Sequence, residues 1–170
     1  MTATTTTAGC TVLDEHAGLI RTTLAPVLAL ADPLASDPWG VGAITRTHVQ
    51  ACLDTGHTAG VAGPHDCARG DTPRDQSDGL DLGPWCHPCE VASIARWVAA
   101  GLPENDAHPV TLDFGFGWFV PEWMLVDGNH RVAAATLRGD VHLVVAVHGD
   151  WDHAVRVLVD GADFNEEVAS

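Results

Sequence analysis

The sequence predicts an α/β (α+β) fold, a small mixed sheet with flanking helices, and three observations indicate this class. Apolar stretches with strand character, such as 110–114 and 141–147, alternate with segments of helical periodicity. Gly, Pro, Asp and Asn residues separate these segments. The length of 170 residues suits one domain with a substantial core.

The charge of the chain is strongly acidic. It has 23 Asp and Glu residues against 8 arginines and no lysine, for a net charge of −15. Nucleic-acid binding depends on contacts of Lys and Arg with phosphates, so this charge balance disfavours a nucleic-acid partner. A local basic site around Arg131 and Arg138 stays open. We interpret the acidity first as a solubility feature, with mimicry of nucleic acid as the alternative.

Composition also indicates where the protein resides. No stretch approaches the roughly 20 apolar residues of a membrane span, so no membrane association is expected. The apolar segment 24–31 follows acidic residues and lacks the flanks of a secretory signal. Five cysteines are an odd and low number for a disulfide scaffold. These features predict a cytoplasmic protein.

We divide the chain into a divergent N-terminal part (1–84), a core (85–160) and an acidic tail (161–170). In the first part, the near-helical run that begins at Val12 is expected to break at Pro26, and 27–31 to form a strand. Thr45 is expected to cap a helix over 46–53. Residues 56–84 are rich in Gly, Pro, Asp and His and predict a long loop, which is either a lid, a metal-braced insertion or a surface excursion.

The second half of the chain carries the stronger secondary-structure patterns. The predicted elements are a helix over 90–101, a strand over 110–114 with a returning strand over 118–126, an inner strand over 141–147, and a helix over 151–159 capped by Asp150.

One strand-to-helix turn lies at the centre of this half. Residues 124–126 end a strand, Gly128 marks a tight turn, and Asn129 is predicted to cap a helix over 132–138 that stops at Gly139. The free backbone N–H groups at such a helix start, together with the helix dipole, favour an anion.

The charges beside this turn need a negative partner. His130 and Arg131 fall in the first helical turn, where a cation opposes the dipole at a cost of about 0.3–1 kcal/mol. The partner is either Asp127 or a bound phosphate, for which Arg131 offers a planar fork and His130 a donor or proton carrier. The structural alternative is a capped helix with an Asp127–Arg131 pair and a surface His130.

The segment Asp127-Gly128-Asn129-His130-Arg131, followed by a helix of small residues, resembles the signature of the ParB/sulfiredoxin superfamily. The flanks agree, since 90–101 is similar to the helix and 142–147 to the strand that surround this signature, and the likeness covers roughly residues 88–150. The Asp-Gly-x-His-Arg form is most similar to the free-serine-kinase-like and phage branches. Sulfiredoxin has its catalytic cysteine where this chain has Asn129, so its reaction is not implied.

The resemblance implies a nucleotide-phosphate site. Gly128, Asn129, His130 and Arg131 would bind the phosphates of ATP, ADP, CTP or another phosphorylated small molecule, and Asp127 would orient Arg131 or help hold Mg²⁺. With His130, Asp127 and Arg131 as catalytic residues, the reaction would be nucleotide hydrolysis or phosphoryl or nucleotidyl transfer to a small acceptor.

Two other classes of function stay open for this turn. One is a non-catalytic nucleotide- or protein-binding accessory factor of phage or plasmid type, with a protein partner or a homodimer. The other is a ParB-like DNA-binding protein or nuclease, which the charge of the chain disfavours.

The cysteines suggest a further site. Cys86-His87-Pro88-Cys89 after Trp85 resembles the redox motif of thioredoxins, although the polar residues before it differ from a thioredoxin strand. The same thiols, with His65 and Cys67, make two close pairs of soft ligands that suit structural Zn²⁺, with His57 and His87 as alternative ligands. Thiols without a metal are the third interpretation.

Overall fold

The computed structural model describes residues 9–56, 86–101, 108–116 and 119–165. The strands are β1 (Thr11–Asp14), β2 (Leu19–Thr23), β3 (Val110–Asp113), β4 (Leu125–Asp127) and β5 (His142–His148). The helices are α1 (Leu24–Leu30), α2 (Pro33–Ser36), α3 (Arg46–Asp54), α4 (His87–Ala100), α5 (Asn129–Arg138) and α6 (Trp151–Val155), and a π-helical segment follows over Arg156–Asp160. This architecture confirms the predicted α+β class.

One five-stranded mixed sheet organises the described residues, in the order β1-β2-β5-β3-β4. The central strand β5 pairs antiparallel with β2 and parallel with β3, so that Val145 lies between Ile20 and Val110. Along β5 buried and partly exposed residues alternate, and Leu143 and Val145 are the buried ones that face the core. The sheet takes strands from both sides of the predicted boundary at residue 85.

Two apolar clusters hold the layers together. The larger cluster packs α1, α6 and the π-helical segment against the sheet, and Ile20, Phe114 and Leu158 are among its buried members. The smaller cluster joins α3, α4 and α5 around Trp39 and Ile94. Within α5, the buried residues Ala133, Ala134 and Ala135 have no accessible surface, and their small side chains let α4 and α5 approach closely.

Several element predictions are wrong, for identifiable reasons. The near-helical run from Val12 is two strands, and the strand expected over 27–31 is the helix α1. Pro26 lies in the first turn of α1, where no intrahelical N–H is needed, so it does not break the helix. Of the returning strand predicted over 118–126, the described residues 119–126 are in a strand only where β4 begins, at 125–126, and residue 118 lies outside the described residues. The last predicted helix, 151–159, is by contrast correct, since these residues are helical throughout as α6 and the π-helical segment.

Other element predictions are confirmed. The Thr45 hydroxyl accepts a hydrogen bond from the His48 N–H at 3.3 Å and caps α3, and the Asp150 carboxylate caps α6 through the His153 N–H at 3.0 Å. No described helix has the length and apolar character that a membrane crossing needs. Most of the predicted loop 56–84 lies outside the described residues.

Candidate functional site

The turn between β4 and α5 is built on a glycine. Gly128 has a φ of +101° and precedes the first helical residue, Asn129, so the prediction that Asn129 caps the helix is wrong. A Cβ at position 128 would lie 2.7 Å from Cγ1 of Val110, so both the conformation and the space require glycine. The Asn129 side chain instead accepts a hydrogen bond from Trp123 Nε1 at 3.2 Å.

The start of α5 therefore carries no side-chain cap among the described residues. The first N–H groups of an α-helix have no intrahelical acceptor and lie at the positive end of the helix dipole. The turn keeps the character that the sequence predicts, a helix start suited to an anion.

Arg131 is held by the protein itself. Its guanidinium donates to Asp127 Oδ2 at 2.6 Å, to the His108 carbonyl at 2.7 Å and to the Pro109 carbonyl at 2.6 Å, and the residue is 8% exposed. The Asp127–Arg131 pair foreseen as the structural alternative is thus present. These contacts fasten α5 to the end of β4 and to the segment that enters β3.

His130 is buried against a carboxylate rather than exposed on the surface. Its Nε2 lies 2.6 Å from Oε2 of Glu90, a residue of α4 with no accessible surface, and the His130 side chain is 14% exposed. Trp39 stacks on the imidazole with ring centres 5.1 Å apart and planes inclined by 16°. A buried carboxylate and a stacked indole together fix the orientation of the ring.

A cleft of about 830 Å³ opens where α5 begins. Gly128, Asn129, His130 and Arg131 line one side with Asp127. The opposite side is one face of α4, spaced i, i+3, i+4 and i+7, with the residues Ser93, Arg96, Trp97 and Ala100. All five residues that the sequence places at the turn therefore share one cavity.

The described lining of the cleft carries more basic than acidic side chains. It includes two of the eight arginines, Arg96 and Arg131, and one carboxylate, that of Asp127. Their guanidinium carbons lie 5.3 Å and 5.8 Å from the centre of the Trp97 ring, within the range of cation–π attraction. Arg138 lies at the far end of α5, where it pairs with Asp140 and donates to the Trp97 carbonyl. The second cation of the site is therefore Arg96 and not Arg138.

Three residues of the site were missed by sequence reasoning, namely Trp39, Glu90 and Arg96. Arg96 could have been found, since the polar residues of α4 recur at helical spacing on one face. Glu90 also gave a signal, because it is a lone acidic residue in the apolar stretch 89–95. Nothing local marks Trp39, which reaches His130 only through the tertiary fold.

The predicted metal ligands are only partly described. Cys86 and Cys89 lie at the start of α4, whereas His65 and Cys67 fall outside the described residues. Within the described ranges, no group of three or more His, Cys, Asp or Glu side chains could hold a metal ion. The zinc hypothesis stays untested in its original form.

The fold and the site together define an α+β protein with a cleft at a strand-to-helix turn and two arginines on the cleft wall. Comparison with protein-family models, with curated proteins and with solved structures gave no match.

Proposed function

We propose that this cleft binds the phosphate groups of a nucleotide or another phosphorylated small molecule, as the resemblance to the ParB/sulfiredoxin superfamily implies. One observation carries the proposal. In a chain with a net charge of −15, Arg96 and Arg131 line a cleft of about 830 Å³ that opens on the start of α5, where the N-cap residue is Gly128 and provides no side chain. The dipole of α5 and the positive charge of the two guanidinium groups both favour an anion as the ligand of this cleft.

The two arginines have different tasks in this proposal. The guanidinium of Arg131 donates hydrogen bonds to Asp127 and to two backbone carbonyls, so Arg131 positions the start of α5. Its positive charge also adds to the attraction of an anion to the cleft. Arg96 is partly exposed and lines the cleft from α4, so we assign the contact with phosphate to it. Asp127, whose side chain is 70% exposed, would help hold Mg²⁺, an ion usually bound by one or two carboxylates together with phosphates.

The reaction we propose is nucleotide hydrolysis, or phosphoryl or nucleotidyl transfer to a small acceptor. His130 lines the cleft, and Glu90 and Trp39 fix its ring, so it would donate to a phosphate oxygen or move a proton. Orientation of a histidine by a buried carboxylate is a recurring device in proton transfer. The acidity of the chain favours a small acceptor over DNA.

The second candidate is a binding module without turnover. It is favoured by the internal contacts of Arg131 and His130, because groups held by Asp127, Glu90 and backbone carbonyls also serve a purely structural purpose. In that case the cleft holds a nucleotide, and the acidic surface meets a protein partner.

Titration calorimetry with ATP, ADP and CTP in the presence of Mg²⁺ tests the binding proposal. Arg96→Ala is expected to weaken binding about tenfold or more, equivalent to about 1.4 kcal/mol. Arg46→Ala is the matched control, since Arg46 is exposed on α3 and does not line the cleft. Equal weakening by both variants would refute the role of the cleft, and no binding of any of these nucleotides would refute a nucleotide as its ligand. Release of phosphate or of a nucleoside product then separates the enzyme from the binding module.

A further inference from the structure

A second cavity, separate from the cleft, lies between α1 and the C-terminal part of the described chain. Its volume is about 590 Å³, within the range of about 300–1,000 Å³ that is typical of small-molecule sites. The lining consists of residues 25, 26, 29 and 30 of α1, residues 157–159 of the π-helical segment, residues 161–165, and also Cys10 and Thr23. None of these residues lines the cleft. We call this cavity the α1 groove.

The lining of the α1 groove is mostly apolar. Ala25 and Ala29 lie one helical turn apart and are exposed, so the small side chains of α1 leave the groove open. The π-helical residues Val157, Leu158 and Val159 are buried. Single π-helical turns are rare in proteins and are often found at functional sites. The groove therefore suits the hydrocarbon part of a small ligand.

The charges of the α1 groove favour a cation as the polar part of that ligand. Asp163 is the single charged residue of the lining, which contains no arginine and no histidine among its described residues. The helical run that begins at Trp151 ends at Gly161, which also lines the groove, and the C-terminal end of a helix carries a partial negative charge. The carboxylate and the helix end both attract an ammonium group and repel an anion.

Phe164 adds an aromatic ring beside Asp163. The ring stacks on His153, with ring centres 4.7 Å apart and planes inclined by 19°, and the Phe164 carbonyl lies 3.0 Å from His153 Nε2. These contacts fasten Phe164, and with it the neighbouring Asp163, to α6. A phenyl ring attracts a cation that lies within about 6 Å of its centre. A carboxylate, an aromatic ring and a helix end of negative partial charge thus belong to one apolar groove.

We propose that the α1 groove binds a small apolar amine in its protonated form. The hydrocarbon chain of the amine lies against Ala29 and the π-helical residues, and the ammonium group lies beside Asp163 and Phe164. This site is independent of the proposed phosphate site, because it takes a ligand of the opposite charge in a different cavity.

NMR chemical-shift titration of the full chain with hexylamine, hexanol and hexanoate tests this proposal. NaCl at about 150 mM screens the general attraction of any cation to a protein with a net charge of −15. We expect hexylamine to bind about fivefold to tenfold more tightly than hexanol, and hexanoate to show no binding. Each methylene added from butylamine to hexylamine should tighten binding roughly fourfold, as expected for the burial of one CH₂ group.

Two pairs of variants locate the binding. Asp163→Asn keeps the oxygen that accepts a hydrogen bond from the Asn165 N–H at 2.9 Å, so it should weaken hexylamine binding severalfold and leave hexanol binding unchanged. Asp152→Asn, at an exposed position of α6 outside the groove, should affect neither compound. Ala29→Trp fills the groove and should abolish the binding of both compounds, whereas Ala51→Trp, at an exposed position of α3, should have no effect.

The proposal is overturned if hexylamine does not shift the resonances of the groove residues, or if hexanol or hexanoate binds as tightly as hexylamine. It is also overturned if Asp152→Asn weakens hexylamine binding as much as Asp163→Asn, or if Ala29→Trp leaves binding unchanged. None of these outcomes depends on nucleotide binding.

Discussion

Glu90 shows how a single residue can join stability to function. Its carboxylate has no accessible surface and lies 2.6 Å from His130 Nε2, so this hydrogen bond offsets part of the cost of leaving water. Removing one partner of a buried pair leaves the other uncompensated and costs about 3–5 kcal/mol. We expect Glu90→Ala to lower the free energy of unfolding by that amount in urea titrations.

The control for this prediction is Glu122→Ala, which removes a carboxylate from an exposed position. It should change the free energy of unfolding by less than about 0.5 kcal/mol. A double-mutant cycle with His130→Ala should show a coupling of more than about 1 kcal/mol, and additive effects would mean that the two side chains do not act as a pair.

Substitutions of the two arginines of the cleft are expected to affect different properties, namely stability for Arg131 and nucleotide binding for Arg96. Arg131→Ala leaves the carbonyls of His108 and Pro109 without their guanidinium donor, and each such loss costs about 1–3 kcal/mol. It should therefore lower the free energy of unfolding by at least about 2 kcal/mol. Arg96→Ala should change stability by less than about 1 kcal/mol while it weakens nucleotide binding. Chemical denaturation measures stability and calorimetry measures binding. If Arg96→Ala lowers stability and Arg131→Ala mainly weakens binding, the roles that we assign to the two arginines are wrong.

At the scale of elements, α5 is flanked by two glycines that differ in their surroundings. Gly128 and Gly139 both have positive φ, +101° and +79°, but a Cβ at 139 meets nothing within 4 Å, whereas one at 128 overlaps Val110. Gly139→Ala should cost about 1 kcal/mol of backbone strain, and Gly128→Ala about 1–3 kcal/mol more because Val110 must move.

Thermal unfolding of both variants measures this difference. The pair is matched, since each substitution adds one methyl group at a positive φ beside the same helix. Equal losses would show that β3 yields to the added methyl group, and that the turn is less tightly defined than its geometry indicates.

Sequence reasoning succeeded where the determinants of an element are local. Thr45 before α3, Gly139 after α5 and the apolar run of β5 carry their own signals in a few residues. It failed over Val12–Leu30, because the short strand β1 pairs with β2, and β2 in turn depends on pairing with β5, more than 110 residues later in the chain. The same holds for the cleft. The turn at Gly128 could be predicted from local sequence, whereas Trp39 reaches the cleft only through tertiary packing and could not.

At the scale of the molecule, the sheet order makes the site a product of distant segments. β2 and β3 lie on opposite edges of β5, and α4 and α5 pack beside each other to form the two walls of the cleft. The N-terminal part therefore supplies strands to the sheet and Trp39 to the site. Loss of β1 and β2 would expose one edge of β5 and remove a layer of the core.

The net charge of −15 leads to a prediction about the whole molecule. Charges of one sign repel each other more in the compact state than in the unfolded chain, so they lower stability. Raising NaCl from about 10 mM to about 150 mM shortens the screening length from about 30 Å to about 8 Å. We expect the Tm to rise by roughly 2–4 °C, which corresponds to about 1 kcal/mol for a chain of this length.

The same measurement near pH 4.7 is the control, because the net charge is close to zero there and salt has little repulsion to screen. The gain in Tm should then be smaller than at pH 7. A Tm that falls with salt at pH 7 would show that local ion pairs outweigh the repulsion, with Arg131–Asp127 and Arg138–Asp140 as the pairs to examine. The acidic surface would then be neutral for stability, and the positive cleft would be one part of a balanced charge distribution.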